Sequence, residues 1–547
     1  MAAAAAAGLL PCRPSSSKPK MGSPPPLVAA GAAVMVVLLT VVGVAPPCHG
    51  FEFQEATVDD LRAAFSNGTL TSRQAVEYYQ GAIRALNPRL HAVIEENPDA
   101  LSQADRADAE MKKKKRRRRG GRDGRGVELR GVPVLLKDNI ATDDGLNTTA
   151  GSLALLGSRV PRDAFVVRKL RRAGAVIMGK ASLSEWSGAR STAAPPGWSA
   201  RGGQGMNPYT GDKNVCGSSS GSATSVGANT VAVSLGTETD GSVLCPAAHH
   251  SCVGIKPTVG LTSRDGVVPI SERQHTVGVI ARTVSDAVRV LDVIVGRDPN
   301  DPATRRADGW IPLGKYGPPL KRDGLKHKRL GILRHPSFFT HPRGSPVAQT
   351  FENHFNKLRD EGAVVVDNII SLNQTVEISQ SETDALLIEL KLSLNKYLKK
   401  LKSSRVRSLG DVIRFNENNK EEKIAEYGQD FLTAANGSNA SDLNKARGYL
   451  KRYVKAGLVK VMTDEKLDAV VIPTETCTGV LAVGGFPGIT VPAGYNEDVN
   501  GLPFGICFGG LRGTEAKLIE IAYAFEQATK VRRPPPAVTP TTTTAPN

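Results

Sequence analysis

An α/β fold is what this chain predicts, and three observations carry the prediction. Short, nearly unbroken apolar runs recur along it, at 131–136 (GVPVLL), 231–236, 330–333 and 469–472, the pattern of strands buried on both faces. Stretches with apolar residues at helical spacing lie between them, so strand and helix alternate. At 547 residues, 40% apolar and 22% charged, the chain can also bury a large core, as one big domain or as two or three smaller ones.

The elements follow in order. Residues 27–45 (LVAAGAAVMVVLLTVVGVA) form a nineteen-residue run without a charge, preceded by Arg13, Lys18 and Lys20 and followed by Pro46-Pro47 and Cys48-His49-Gly50. That is the layout of a secretory signal cleaved after Gly50. Left uncleaved, about 20 apolar residues would span a bilayer as an anchor. Either way the body of the protein is expected in the secretory lumen or outside, and sequons at Asn67, Asn147, Asn373, Asn436 and Asn439 agree. Thr57 to Asp60 reads as a capped helix start. A helix is expected over 72–86, with Val76, Tyr79, Ile83 and Leu86 on one face, and a strand over 90–95. The run KKKKRRRRGGRDGRG then reads as a solvated loop. Lys112 to Arg125 hold ten Lys/Arg and one Asp, a net +9 of the chain's +17. The remaining charge shows no basic face in the sequence, which argues against a nucleic-acid partner.

The strand at 131–136 ends in Lys137-Asp138-Asn139, which places a lysine at a sheet's carboxyl edge, where α/β enzymes put their chemistry. A helix is expected at 165–173, a strand at 176–178, a helix at 182–190, and then a long Gly/Pro-rich connection, 194–215. Another helix reads at 285–295. A βαβ unit follows at 330–333, 347–358 and 364–366, with Gly362 as the helix stop. Residues 376–460 are mostly helical and lysine-rich. Strands at 469–472, 488–491 and 504–507 and a helix at 515–527 precede a Pro/Thr tail, 533–547, whose composition cannot pack. Seven cysteines contain no CxxC pair, which argues against a zinc ribbon or a thioredoxin-type site. Removing the N-terminus leaves five, hence at least one free thiol; Cys245 and Cys252 read as small buried residues rather than as a pair.

Residues 216–260 concentrate eight serines and seven glycines around the strand at 231–236. Such a stretch fits a nucleophile site, a phosphate cradle or a close-packed turn region, since glycine lets main-chain N–H groups approach a ligand. A phosphate loop needs Gly-Lys-Ser/Thr, which follows neither Gly217 nor Gly221. Gly217-Ser-Ser219-Ser-Gly221 has the form of a nucleophile elbow, but an elbow follows directly on a strand. NPYTGDKNV upstream is turn-like, and no downstream histidine stands in a distinctive setting.

GVPVLLKDNI, CGSSSGSA, GTETDGSV and VGIKPTVGLTSRDGVVPIS resemble, almost phrase by phrase, the amidase signature family of serine hydrolases; GKASLSEW, GWSARGGQGMNPY and RTVSDA extend the match. Similarity is strong over about 129–299, weaker to about 530, and nearest to the peptide-amidase-like branch. The resemblance implies one large domain, 51–532, with a mixed β-sheet covered by helices on both faces and a helical insertion at about 376–460. It implies a base, a bridging serine held by a cis peptide and a nucleophile, which fall on Lys137, Ser218 and Ser242; the spacings of 81 and 24 residues agree. A lysine acts as a base only when neutral, which burial achieves by pulling its pKa down from about 10.4. Main-chain N–H groups of Thr239, Asp240, Gly241 and Ser242 fall where the family builds its oxyanion hole. Asp240 stands where many members have glycine, a trait of the peptide-amidase branch. Gly217 and Ser219 take supporting places, Ser220 and Ser222 structural or supporting ones, and Glu238, His249 and His250 supporting ones.

No cofactor and no metal are implied. The expected activity is hydrolysis of a peptide or small-molecule primary amide through an acyl-enzyme on Ser242. A glutamyl-tRNA amidotransferase-type subunit is a second reading, opposed by the N-terminal run. An idle secreted binding protein is a third, opposed by the complete set of three residues. Membrane contact is expected only if residues 27–45 stay attached, and the sequence carries no signal for oligomeric state.

Overall fold

Alternate residues of a strand face opposite sides of its sheet, so a strand buried at every position is covered on both. Pro133–Lys137, Val176–Ala181, Val233–Glu238 and Thr276–Ala281 are all of that kind. The computed structural model describes residues 51–118, 128–312, 315–317, 320–369 and 375–536, and there these strands belong to an eleven-stranded mixed sheet. In chain order the strands are β1 (Val93–Glu96), β2 (Pro133–Lys137), β3 (Val176–Ala181), the short β4 (Trp198–Ser199) and β5 (Gly203–Gln204), β6 (Val233–Glu238), β7 (Val253–Lys256), β8 (Thr276–Ala281), β9 (Arg329–Leu333), β10 (Val364–Ile369), β11 (Ala469–Pro473), β12 (Gly488–Asn496) and β13 (Leu502–Gly509). β4 and β5 pair with each other; the rest run β1-β3-β2-β6-β8-β7-β12-β13-β11-β9-β10. β2 lies parallel to β3 and β6, and β9 parallel to β10 and β11. The pairs from β6 through β8, β7, β12 and β13 to β11 are antiparallel. Helices cover the sheet, among them Ser220–Gly227 against β6 and Glu515–Thr529 against β12.

Most elements stand where the sequence puts them, and the departures have identifiable causes. Thr57 and Asp60 close a capping box at the start of the helix Val58–Asn67. The second helix runs on to Leu90, so the strand expected at 90–95 shrinks to Val93–Glu96. Asn87 enforces this: its side chain accepts the N–H of Ala92 and of Val93, both at 2.8 Å, and donates to the Val93 carbonyl at 2.8 Å. The helix expected at 182–190 is instead one 3-10 turn, Glu185–Gly188, with Trp186 and Ser187 at φ 52° and 57°. Its backbone donors are used elsewhere, Ser184 N–H on the Ser218 carbonyl and Trp186 N–H on the Ala150 carbonyl. The basic run is not a loop from its start: Lys112 to Arg118 continue the helix Ala100–Arg118. Residues 27–45, Cys12, Cys48, Asn373, the rest of the basic run to residue 127 and the tail beyond 536 lie outside the described residues. Among the described residues, no helix is long and apolar enough to cross a membrane.

Two clamps bind the outlying parts to this sheet. Arg190, with its side chain 1% exposed, sits between Glu185 (2.8 Å) and Glu422 (3.0 Å), and its guanidinium lies over Trp198. Glu422 comes from the helical region after β10 and also accepts from Ser152 Oγ (3.1 Å) and Leu153 N–H (2.9 Å). Charges this deep are tolerated only when paired and hydrogen-bonded. At the chain ends, Arg532 reaches Glu55 (2.7 Å) and the carbonyl of Ser251 (2.7 Å).

Candidate active site

The parallel pairing of β2 with β6 brings the carboxyl ends of both strands to one edge. Lys137 closes β2 and is completely buried. Its Nζ donates to Ser218 Oγ at 2.7 Å and to the Thr237 carbonyl at 3.1 Å. Neither partner is charged, so burial, opposed only by the Glu238 carboxylate, holds the amine well below the usual lysine value of 10.5.

Ser218 follows a cis Gly217–Ser218 peptide and is 3% exposed. Ser219 ties this loop to the next. Its N–H donates to the Ser242 carbonyl (3.1 Å), and its Oγ donates to the Thr237 carbonyl and accepts the Thr237 N–H, both at 3.2 Å. Ser222 Oγ bonds the Leu235 carbonyl at 3.1 Å and so seats the helix on β6, whereas Ser220 Oγ is buried without a hydrogen-bond partner among the described residues.

Beyond β6 the chain turns once before the helix Leu244–His249. Glu238 Oε2 caps that helix, accepting from Val243 N–H (2.7 Å) and Leu244 N–H (2.9 Å). Gly241 has φ 77°, a conformation glycine takes readily, and a Cβ there would press on Thr478 at 3.2 Å. Among the described residues, the N–H groups of Thr239, Asp240, Gly241 and Ser242 enter no hydrogen bond of the fold, which leaves a row of free donors beside Ser242. Ser242 is 7% exposed, and Asp240 beside it is exposed.

A disulfide joins Cys216 to Cys245. Cys245 is therefore not the small unpaired residue the sequence suggested: it stands three residues after Ser242 and Cys216 two before Ser218, so the folding that unites the serine loops also unites the sulfurs. Cys477 pairs with Cys507, and among the described residues Cys252 is the free, buried thiol. The two histidines brace the scaffold. His250 spans Thr224 Oγ1 (2.9 Å) and the Pro246 carbonyl (2.7 Å), and His249 Nδ1 lies 3.3 Å from the Asn214 carbonyl.

Further groups around these residues are not singled out by the sequence. Asn139 Nδ2 donates to Thr237 Oγ1 at 2.9 Å, and Asp138 accepts from Thr149 Oγ1 and from Gly151 N–H. His275 Nδ1 lies 3.4 Å from Thr239 Oγ1, and Gln274 Nε2 reaches both the Thr239 carbonyl (3.4 Å) and Glu382 Oε1 (2.5 Å). Burial pushes His275 down to about 3, so the ring is neutral; burial, then the Asp240 carboxylate, push Glu382 up to about 8. Gln274 and His275 closely follow the signature phrase that ends at Ser271, which was the available signal; Glu382 lies in a helix without a motif. A cavity of 1540 Å³ touches His275 but is not lined by Lys137, Ser218 or Ser242.

A mixed sheet that brings a buried lysine and two loop serines to one edge defines an amide-hydrolase scaffold, and the likeness to known proteins agrees. The amidase family model matches residues 74–482. A protein of Arabidopsis thaliana named as a probable amidase is 55% identical over 494 residues, 89% of this chain and 92% of its own. The solved peptide amidase of Stenotrophomonas maltophilia is 42% identical with a TM-score of 0.80, covering 88% of this chain and 99% of its own. A glutamyl-tRNA(Gln) amidotransferase subunit of Thermoanaerobacter pseudethanolicus is 29% identical over 528 residues, 89% of this chain and 99% of its own. This chain belongs to the amidase family and is an amide hydrolase.

Proposed function

We propose that the hydrolysis runs through a relay of Lys137, Ser218 and Ser242, with a peptide or small-molecule primary amide as substrate. The observation that carries this reading is the 2.7 Å bond between a fully buried, charge-poor Lys137 and Ser218 Oγ. Neutral Lys137 takes the Ser218 proton as Ser218 takes that of Ser242. Ser242 Oγ attacks the amide carbon, and the oxyanion is met by the free N–H groups of Thr239, Asp240, Gly241 and Ser242. Because these donors belong to the backbone, the side chain of Asp240 leaves them intact. The proton returns through the relay to the departing nitrogen and the C–N bond breaks. Ammonia or an amine leaves, and water then hydrolyses the ester on Ser242 by the same relay in reverse. Gly217 and Ser219 hold the bridging serine in place.

Resemblance to a peptide amidase at 42% identity, against 29% for the amidotransferase subunit, supports the amide substrate over a tRNA-linked one. The apolar run at 27–45 and exposed sequons at Asn67, Asn436 and Asn439 support a secreted glycoprotein. Asn147 is left out because its Nδ2 is engaged by Glu95 at 3.1 Å. The domain spans residues 51–532 in this reading, and its helical insertion contributes to the acyl pocket. The test is Ser242→Ala in the purified protein: hydrolysis of a peptide amide and labelling by a fluorophosphonate should both vanish while the melting temperature holds. Unchanged hydrolysis would overturn the relay.

A further inference from the structure

The cleft that touches His275 has an uneven charge. Ten Lys/Arg and three Asp/Glu line it. Five of the cations are paired with carboxylates: Arg162 with Asp265 (2.9 Å), Arg264 with Asp301 (2.6 Å), Lys396 with Glu272 (3.1 Å), and Arg273 (3.2 Å) and Arg447 (2.8 Å) with a shared Glu389. All three lining carboxylates are thereby occupied. Arg306, Lys400, Lys451, Lys455 and Arg512 line the same cleft and have no carboxylate partner among the described residues. Arg512 donates instead to the Gly484 carbonyl at 2.8 and 2.7 Å, and burial, together with the Arg306 charge, lowers its pKa. The rest of the lining includes Val267, Leu401, Leu450, Val454 and Phe486, an apolar floor under a cationic rim.

This face is absent from the sequence because it comes from distant segments. Lys400 ends the helix Thr375–Lys400, Lys451 lies in Leu443–Val454 and Arg306 in Pro302–Ala307, while Arg512 follows β13. Like charges around a concave, low-dielectric wall focus a field that attracts anions. The cleft also has a direction. It reaches His275, which touches the hydroxyl of Thr239, and Thr239 stands three residues before Ser242.

We propose that this enzyme selects amides whose acyl portion is an extended chain bearing carboxylates, held along the cleft by Arg306, Lys400, Lys451, Lys455 and Arg512. The apolar floor takes the aliphatic part of that chain, and its amide end is directed to Ser242. The proposal rests on the assignment of Ser242 as nucleophile and names the substrate class for it.

Two acetylated peptide amides of one length test it, with the same leucine at the amide end and either glutamate or glutamine at every other position. At low ionic strength kcat/KM for the glutamate peptide should exceed that for the glutamine peptide by about tenfold or more, through a lower KM. The advantage should collapse at about 1 M salt, where the Debye length falls to about 3 Å. Lys400→Glu combined with Lys451→Glu changes only exposed side chains; it should abolish the preference by raising KM for the glutamate peptide, with the melting temperature unchanged. Equal kcat/KM for the two peptides, or a preference indifferent to the charge reversal, overturns the proposal. Loss of glutamine-peptide cleavage in Ser242→Ala shows separately that the relay holds, whichever way the two peptides compare.

Discussion

In the proposed relay a lysine kept neutral by burial is the base, and the same burial destabilises the fold. Unfolded, Lys137 holds its proton up to about pH 10.4; folded, its pKa lies well below. Folding therefore releases a proton between the two values, and the contribution of Lys137 to stability rises with pH across that window. For the same reason kcat/KM should climb as pH rises through the folded pKa and fall away below it. Lys137→Met should lower activity by about 10³–10⁴-fold and flatten the rise of stability with pH, which thermal melts from about pH 6 to 10 will show. Lys137, Ser218 and Ser242, the residues proposed for the relay, can be picked out in the sequence because the chemistry restricts residue type and the phrases around them restrict position. Glu382 cannot, since a carboxyl in a helix acquires its meaning only from the groups it meets, here Gln274 and Asp240. Cys245 is equally hidden, because a sulfur's partner is set by distance in space.

At the scale of elements, strands covered on both faces announce themselves as unbroken apolar runs, which is why β2 and β11 are legible at nearly their true bounds. The turn at Glu185–Gly188 is not, because its amphipathic pattern serves a buried ion cluster instead of a helix face. That cluster also docks the helical insertion. Glu422→Ala leaves Arg190 short of one of its two carboxylates and removes the acceptor for Ser152 and Leu153. It should cost about 3–5 kcal/mol in denaturant unfolding. Hydrogen exchange should show the loss first in the helices between β10 and β11, with the central strands still protected.

At the scale of the whole molecule, both ends of the described chain are fastened at one place. Arg532 bridges Glu55 near the beginning to carbonyls of Gly227 and Ser251 in the segments after the two serine loops. Arg532→Ala should lower unfolding free energy by about 2–3 kcal/mol, measured by urea denaturation, because buried acceptors lose a charged donor. Net charge also looks different at this scale. The sequence localises about half of the +17 in one run and leaves the rest dispersed; folding gathers part of that remainder into the cleft, which no one-dimensional count reveals.

The Cys216–Cys245 bond closes a covalent ring that contains Ser218, the whole of β6 and Ser242. The loops of Ser218 and Ser242 are therefore joined by connectivity as well as by the bond from Ser219 N–H to the Ser242 carbonyl, and the medium's thiol chemistry reaches the proposed catalytic edge through one bond. A strong dithiol should lower kcat of the native enzyme, while Cys216→Ser combined with Cys245→Ser should show the lowered kcat from the outset and no further response. The same variant should be less stable by about 3 kcal/mol. An oxidising compartment would then be part of what assembles the site, since the ring persists only where disulfides do.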